Sequence, residues 1–173
     1  MPADDLRAMI REIPDFPKPG ILFYDITTMI KDAAAFSEAI DLMLEPYRDM
    51  KVDVVVGMES RGFIFSAPMA VRLDAGFVPV RKLGKLPAET VSVEYALEYG
   101  TNTLEIHRDA LAPGQKVLVV DDLLATGGTV LGTIELVQML KAEVVGLSFL
   151  VELLFLKGRE RLRDQKVHSV IQY

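Results

Sequence analysis

Two adjacent carboxylates, Asp121 and Asp122, stand just ahead of the run Ala125-Thr126-Gly127-Gly128-Thr129. That run can hold a phosphate. Backbone N–H groups at a helix start lack intrahelical partners and lie at the positive end of the helix dipole, so they attract anions. Gly127 and Gly128 remove side chains from the turn, which lets a phosphate approach the backbone. The acids suit a ligand with hydroxyl donors, such as a ribose diol, or a bound Mg2+. Neither the Gly-x-x-x-x-Gly-Lys-Ser/Thr of a nucleoside triphosphate loop nor the Gly-x-Gly-x-x-Gly of a dinucleotide turn occurs here. An Asp cap before a tight turn would explain part of the pattern. It does not require two acids, two threonines and two glycines together.

A second set of charges lies at Arg81-Lys82-Leu83-Gly84-Lys85. A cluster of this kind is ordinarily a solvated turn, but in a chain of net charge −6 it reads as an anion-binding loop. Phe23 follows the proline-rich segment Pro14 to Gly20. Taken alone it is a core residue; as an exposed aromatic it could stack on a flat ligand.

These residues need elements to position them. Lys116 to Val120 is a β-branched run of the kind that forms a strand buried on both faces, ending at the two acids, and Val130 to Leu140 has helical spacing. Val52 to Val56 reads as a strand, Gly57 to Phe63 as the loop at its end, Phe63 to Leu73 as a helix and Phe77 to Val80 as another strand. Strand, loop and helix in alternation predict an α/β fold, a central and mostly parallel sheet flanked by helices. Ligands gather at the carboxyl ends of such strands, where the loops after Val56, Val80 and Val120 fall. Asp4 to Glu12 places Leu6, Met9, Ile10 and Ile13 at helical spacing, Pro14 to Gly20 predicts a stiff loop, and Ser37 to Tyr47 a helix. Pro87 to Glu105 alternates polar and apolar residues, as an antiparallel excursion or flap would. A strand over Val144 to Val151, a short helix over Lys157 to Arg163 and a strand over Val167 to Ile171 complete the pattern.

The 173 residues fit a single domain, 1–173, and half of them are hydrophobic, enough for a closed core. No cysteine is present, which removes thiolate chemistry and disulfides and suits a cytoplasmic setting. The acidic balance argues against nucleic acid as a partner. Met1 to Pro14 lacks the apolar run of a signal peptide, and Val144 to Leu156 is shorter than the roughly 20 apolar residues that span a bilayer, so no membrane partner is expected.

Val119 to Thr129 resembles the phosphoribosyl-diphosphate (PRPP) signature of the type I phosphoribosyltransferases. Five further segments, in this order, resemble the adenine-specific branch of that family: Phe16 to Gly20, Glu59 to Phe63, Arg81 to Pro87, Leu97 to Gly100 and Val151 to Glu160. The resemblance implies the type I phosphoribosyltransferase fold, with a hood over 1–30 and a flexible flap at about 85–105, and a Mg2+-dependent transfer of phosphoribose from PRPP to adenine, giving AMP and pyrophosphate. It also implies a homodimer. By the same resemblance Ala125, Thr126, Gly127, Gly128 and Thr129 hold the 5′-phosphate, and Asp121 and Asp122 the ribose hydroxyls. Ser60, Arg61, Arg81, Lys82 and Lys85 meet pyrophosphate; Leu22, Phe23 and Leu156 contact adenine; Glu98 and Arg61 take part in catalysis. A cis peptide is expected at Glu59–Ser60, and Mg2+ is held through PRPP rather than by a protein cage. Tyr24 stands where many relatives carry Arg, and a phenol cannot replace a guanidinium toward an anion.

The same fold could serve another base, such as hypoxanthine, guanine, xanthine or orotate. A PRPP-sensing regulator would keep the phosphate loop without the chemistry, but such proteins carry an additional DNA-binding domain. A phospho-accepting receiver fold would use paired acids without the Ala-Thr-Gly-Gly-Thr turn.

Overall fold

The first helix, α1 (Ala3–Met9), carries Asp4 and Asp5 in its opening turn, where carboxylates favour the dipole, and buries Leu6. It stops short of the Glu12 that spacing predicts. Arg11–Pro14 instead forms β1, which pairs antiparallel with β2 (Leu22–Asp25), and the strand pairing claims the backbone groups that a longer helix would use. The proline-rich loop between them holds a cis bond at Phe16–Pro17 and is tied by the Gly20 N–H, which donates to Asp15 Oδ1 at 2.7 Å. Two helices follow, α2 (Thr27–Ile30) and α3 (Ala33–Leu44). The latter starts earlier than the expected Ser37 because Asp32 caps it, accepting the Ala35 N–H at 2.9 Å. This computed structural model describes residues 1–96 and 100–173. They divide into two units, Met1–Leu42 and Met43–Tyr173, with the boundary inside α3.

In the second unit a turn of 3-10 helix, Glu45–Tyr47, leads to β3 (Val54–Met58), α4 (Gly62–Arg72) and β4 (Gly76–Lys82). The hairpin β5 (Thr90–Ala96) and β6 (Thr101–His107) comes next, then β7 (Lys116–Leu124), α5 (Gly128–Met139), β8 (Glu143–Glu152) and β9 (Val167–Gln172). The seven strands lie in the order β5-β6-β4-β3-β7-β8-β9. From β4 to β9 every neighbouring pair is parallel, while the β5–β6 hairpin joins the β4 edge antiparallel. The mixed sheet with its parallel centre matches the expected α/β class.

Side-chain alternation explains why the central strands read as continuous apolar runs. Val54, Val56 and Met58 of β3 and Val117 and Val119 of β7 pack in one core with Val130, Ile134 and Val137 of α5. The intervening Val55, Leu118 and Val120 point the other way and are also 0 % exposed, so the sheet is buried on both faces. Tyr47, fully buried, anchors the opposite layer by donating to the Leu147 carbonyl at 2.7 Å.

Two boundaries differ from expectation. β7 does not end at Val120 but continues through the acids to Leu124, because β8 is long enough to pair with it as far as Leu124↔Glu152. Its pairing with β3 stops at Gly57↔Val120, which leaves Asp121 and Asp122 open on that side. The expected helix over Lys157 to Arg163 is a 3-10 turn, Gly158–Leu162, too short to settle into α-helical bonding.

Candidate active site

A cavity of about 420 Å3 opens at the carboxyl ends of the parallel strands. From the loop after β3 come Glu59, Ser60 and Arg61, and from β4 comes Lys82. The hairpin adds Tyr95, Asn102 and Leu104, and β7 with its following loop adds Asp121, Asp122, Leu123, Ala125 and Thr129. The register explains the grouping: Tyr95 and Asn102 are cross-strand partners on β5 and β6, and Asp121 begins where β3 has released β7.

The two acids have different surroundings. Asp122 is buried and pairs with Arg61, whose Nε donates to Asp122 Oδ2 at 2.6 Å. Asp121 Oδ1 accepts the Asp122 backbone N–H at 2.8 Å. Burial, and then the negative charge and hydrogen bond of Asp122, push the Asp121 carboxyl well above the usual carboxylate range. The start of α4 is packed against it: a Cβ on Gly62 would stand 2.7 Å from Asp121 Oδ1. A side chain at 62 would have to displace that carboxyl oxygen, so glycine lets α4 begin close beside the acid.

Glu59 ties the loop after β3 to the end of β4, accepting the Lys82 N–H at 3.0 Å and Arg81 Nε at 3.2 Å. Burial opposes its charge, but these donors, with Arg81 and Lys85 nearby, hold the carboxyl below its ordinary range. The Glu59–Ser60 peptide is cis, as the resemblance implies.

A smaller recess of about 70 Å3 adjoins the cavity and is lined by Ala125, Thr126, Gly127, Gly128 and Thr129 together with Asp121. Gly127 adopts a left-handed conformation at φ 87, and no side chain caps α5. The first α-helical bond runs from the Leu131 N–H to the Gly127 carbonyl at 3.0 Å. The amides of Gly128, Thr129 and Val130 precede it, so the helix cannot satisfy them and they are donors for an anion.

The structure thus brings together Ser60, Arg61, Lys82, Asp121, Asp122 and the loop 125–129. Among the described residues Arg81, Lys85 and Leu156 do not line the cavity; Arg81 faces Glu59, and Leu156 lies on a 3-10 turn and is exposed. Leu22 and Phe23 belong to the first unit, where Leu22 is exposed and Phe23 packs edge-on against Phe16, ring centroids 5.2 Å apart. Tyr24 lies beside it on β2, opposite Glu12. Glu98 lies outside the described residues. Tyr95 and Asn102 are not legible as site residues in the sequence; the alternating hairpin pattern is visible there, but which face it turns to the site depends on the β4–β6 register.

A parallel sheet that ends in paired acids and a glycine turn defines a phosphoribosyl-handling class, and comparison with known proteins agrees. The phosphoribosyl transferase domain family matches residues 27–172. The chain is 60% identical over its full length, and over all of the relative's, to an adenine phosphoribosyltransferase of Chloroflexus aurantiacus. Its fold superposes on the crystal structure of the enzyme of that name from Thermoanaerobacter pseudethanolicus with a TM-score of 0.96 at 53% identity, covering 99% of each chain. The Saccharomyces cerevisiae adenine phosphoribosyltransferase, solved with adenine bound, gives 0.92 at 40% identity over 97% of each chain. The chain belongs to the phosphoribosyl transferase family, and within it to the adenine phosphoribosyltransferases.

Proposed function

We propose that the protein transfers the 5-phosphoribosyl group of PRPP to adenine, giving AMP and pyrophosphate. The observation that carries the reading is the joining of an anion recess at 125–129 to a cavity holding Asp121, Asp122, Arg61, Ser60 and Lys82. One end suits a 5′-phosphate, the acids suit ribose hydroxyls, and the cations suit a diphosphate.

Displacement at the anomeric carbon passes through an oxocarbenium-like state, so no covalent nucleophile is required. Positioning and charge stabilisation do the catalytic work. The amides of the recess fix the phosphate, while Asp121 and Asp122 accept the ribose hydroxyls and hold the anomeric carbon in register. Arg61 is held by Asp122 through Nε; it and Lys82 meet the negative charge that develops on pyrophosphate. The loop of Ser60 is braced against β4 by Glu59. Arg81 and Lys85 add positive field at that end. Leu22, Phe23 and Leu156 are assigned to adenine, and Glu98 to the proton on its imidazole ring, by likeness to the family.

Among the described residues no group of three or more His, Asp or Glu side chains could hold a metal. The oxygen donors of Asp121 and Asp122 fit Mg2+ only as supplements to ligands from PRPP and water. When bound, the ion offsets diphosphate charge. The reading includes a cytoplasmic homodimer. A solution mass of twice the 19.2 kDa chain is expected. Among the described residues no helix is long and apolar enough to cross a membrane. Incubation with adenine, PRPP and Mg2+ should yield AMP and pyrophosphate in equal amounts; no nucleotide product would refute the activity.

A further inference from the structure

The turn after β8 presses against the back of the 125–129 loop. A Cβ on Gly158 would overlap the Ala125 carbonyl oxygen and stand 3.1 Å from Leu124 Cδ1. From the other side, a Cβ on Gly127 would stand 3.1 Å from the Gly158 carbonyl oxygen. Two bare backbones are stacked here, with no side chain able to come between them. Arg161 Nη1 adds a donor to the Thr126 carbonyl at 3.2 Å.

The turn itself is fastened by its neighbour. Arg159 forks onto Glu152 at the end of β8, with Nε at 3.0 Å from Oε1 and Nη2 at 2.5 Å from Oε2. The same guanidinium donates to the Val167 carbonyl at 2.9 Å and to Ser169 Oγ at 3.0 Å, both on β9. Glu152 is 2 % exposed. A carboxylate so buried is costly unless paired, and a planar fork with several donors is what satisfies it.

We propose that Gly158 and Arg159 are positioning residues for the phosphate loop. Arg159 anchors the turn to β8 and β9, and Gly158 sets the distance at which the turn backs the loop. The amides of 125–129 are thereby aimed before substrate arrives. Neither residue lines the cavity or the recess. The proposal rests on the reading of 125–129 as the 5′-phosphate site.

Gly158→Ala and Arg159→Lys both leave the net charge unchanged, so an effect on PRPP cannot come from lost attraction. In steady-state assays each should raise KM for PRPP about tenfold or more, as loop misplacement of an ångström can. KM for adenine should stay within roughly twofold, and kcat should fall less than KM for PRPP rises. Thermal unfolding checks the fold, and if Gly158→Ala does not fold, the test rests on Arg159→Lys alone. An unchanged KM for PRPP in a folded variant, or parallel rises in both KM values, would overturn the proposal. Should the wild-type chain make no AMP, the activity reading fails separately, and equilibrium dialysis with ribose 5-phosphate decides. Weaker binding in both variants supports the positioning role; equal binding ends it.

Discussion

Asp121 and Asp122 are neighbours in sequence with different surroundings. Asp122 pairs with Arg61 at 2.6 Å, whereas burial and the adjacent charge raise the Asp121 carboxyl well above its usual range. A group raised in the folded state adds stability below its ordinary value and loses it as pH rises through the folded value. Asp121→Asn removes that loss. Its thermal midpoint should therefore match the wild type in acid and exceed it increasingly as pH rises, followed by calorimetry across the pH range. A widening deficit with rising pH would contradict the assignment. Activity should move the other way on the proposed ribose role, because a hydrogen bond between the carboxyl and a ribose hydroxyl contributes about 0.5–1.5 kcal/mol. That corresponds to a loss of roughly two- to tenfold in kcat/KM.

Between elements, the pair Glu152–Arg159 joins β8 to the turn that backs the 125–129 loop. Glu152 is held below its ordinary carboxyl range, first by the hydrogen bond from Arg159, against burial, and with help from Ser169. A lowered group stabilises above its ordinary value, and the stability is lost as pH falls through the folded value. Glu152→Gln should be less stable than wild type near pH 7 by about 2 kcal/mol, a partly exposed partner reducing the cost of breaking a buried pair. The gap should be narrower at an acid pH well below the ordinary carboxyl range, past the lowered value at which the wild-type carboxyl also protonates. Urea unfolding at the two pH values checks this, and a gap that does not narrow would count against the pairing. At this scale the sequence is only partly readable. The glycine turn and its acids are plain because they are contiguous. The true end of β7 is hidden because it depends on the length of β8 and on where β3 stops. The first helix looks longer because Ile10 and Ile13 keep helical spacing, while the pairing of Ile13 with Phe23 across the proline loop leaves no local trace. The Glu59 tie to Lys82 joins residues 23 positions apart, and Gly158 meets Ala125 only once β8 and its turn are in place.

For the whole molecule, the parallel sheet supplies a rigid floor and the hairpin β5–β6 one wall of the cavity. Tyr95 near the end of β5 and Asn102 on β6 bring that wall to the acids, and Glu98 lies three positions after Tyr95 in the sequence. The proposed proton role for Glu98 predicts that Glu98→Gln lowers turnover by about a hundredfold or more, as loss of acid–base catalysis does. Near-wild-type turnover in that variant would remove it from the role. The central claim is base-specific phosphoribosyl transfer, and the most direct measurement offers adenine, hypoxanthine, guanine and orotate separately with PRPP and Mg2+. Nucleotide formation is followed in each case. AMP from adenine with little product from the other bases is the predicted result. Efficient product from another base, or none from adenine while PRPP is still bound, would contradict it.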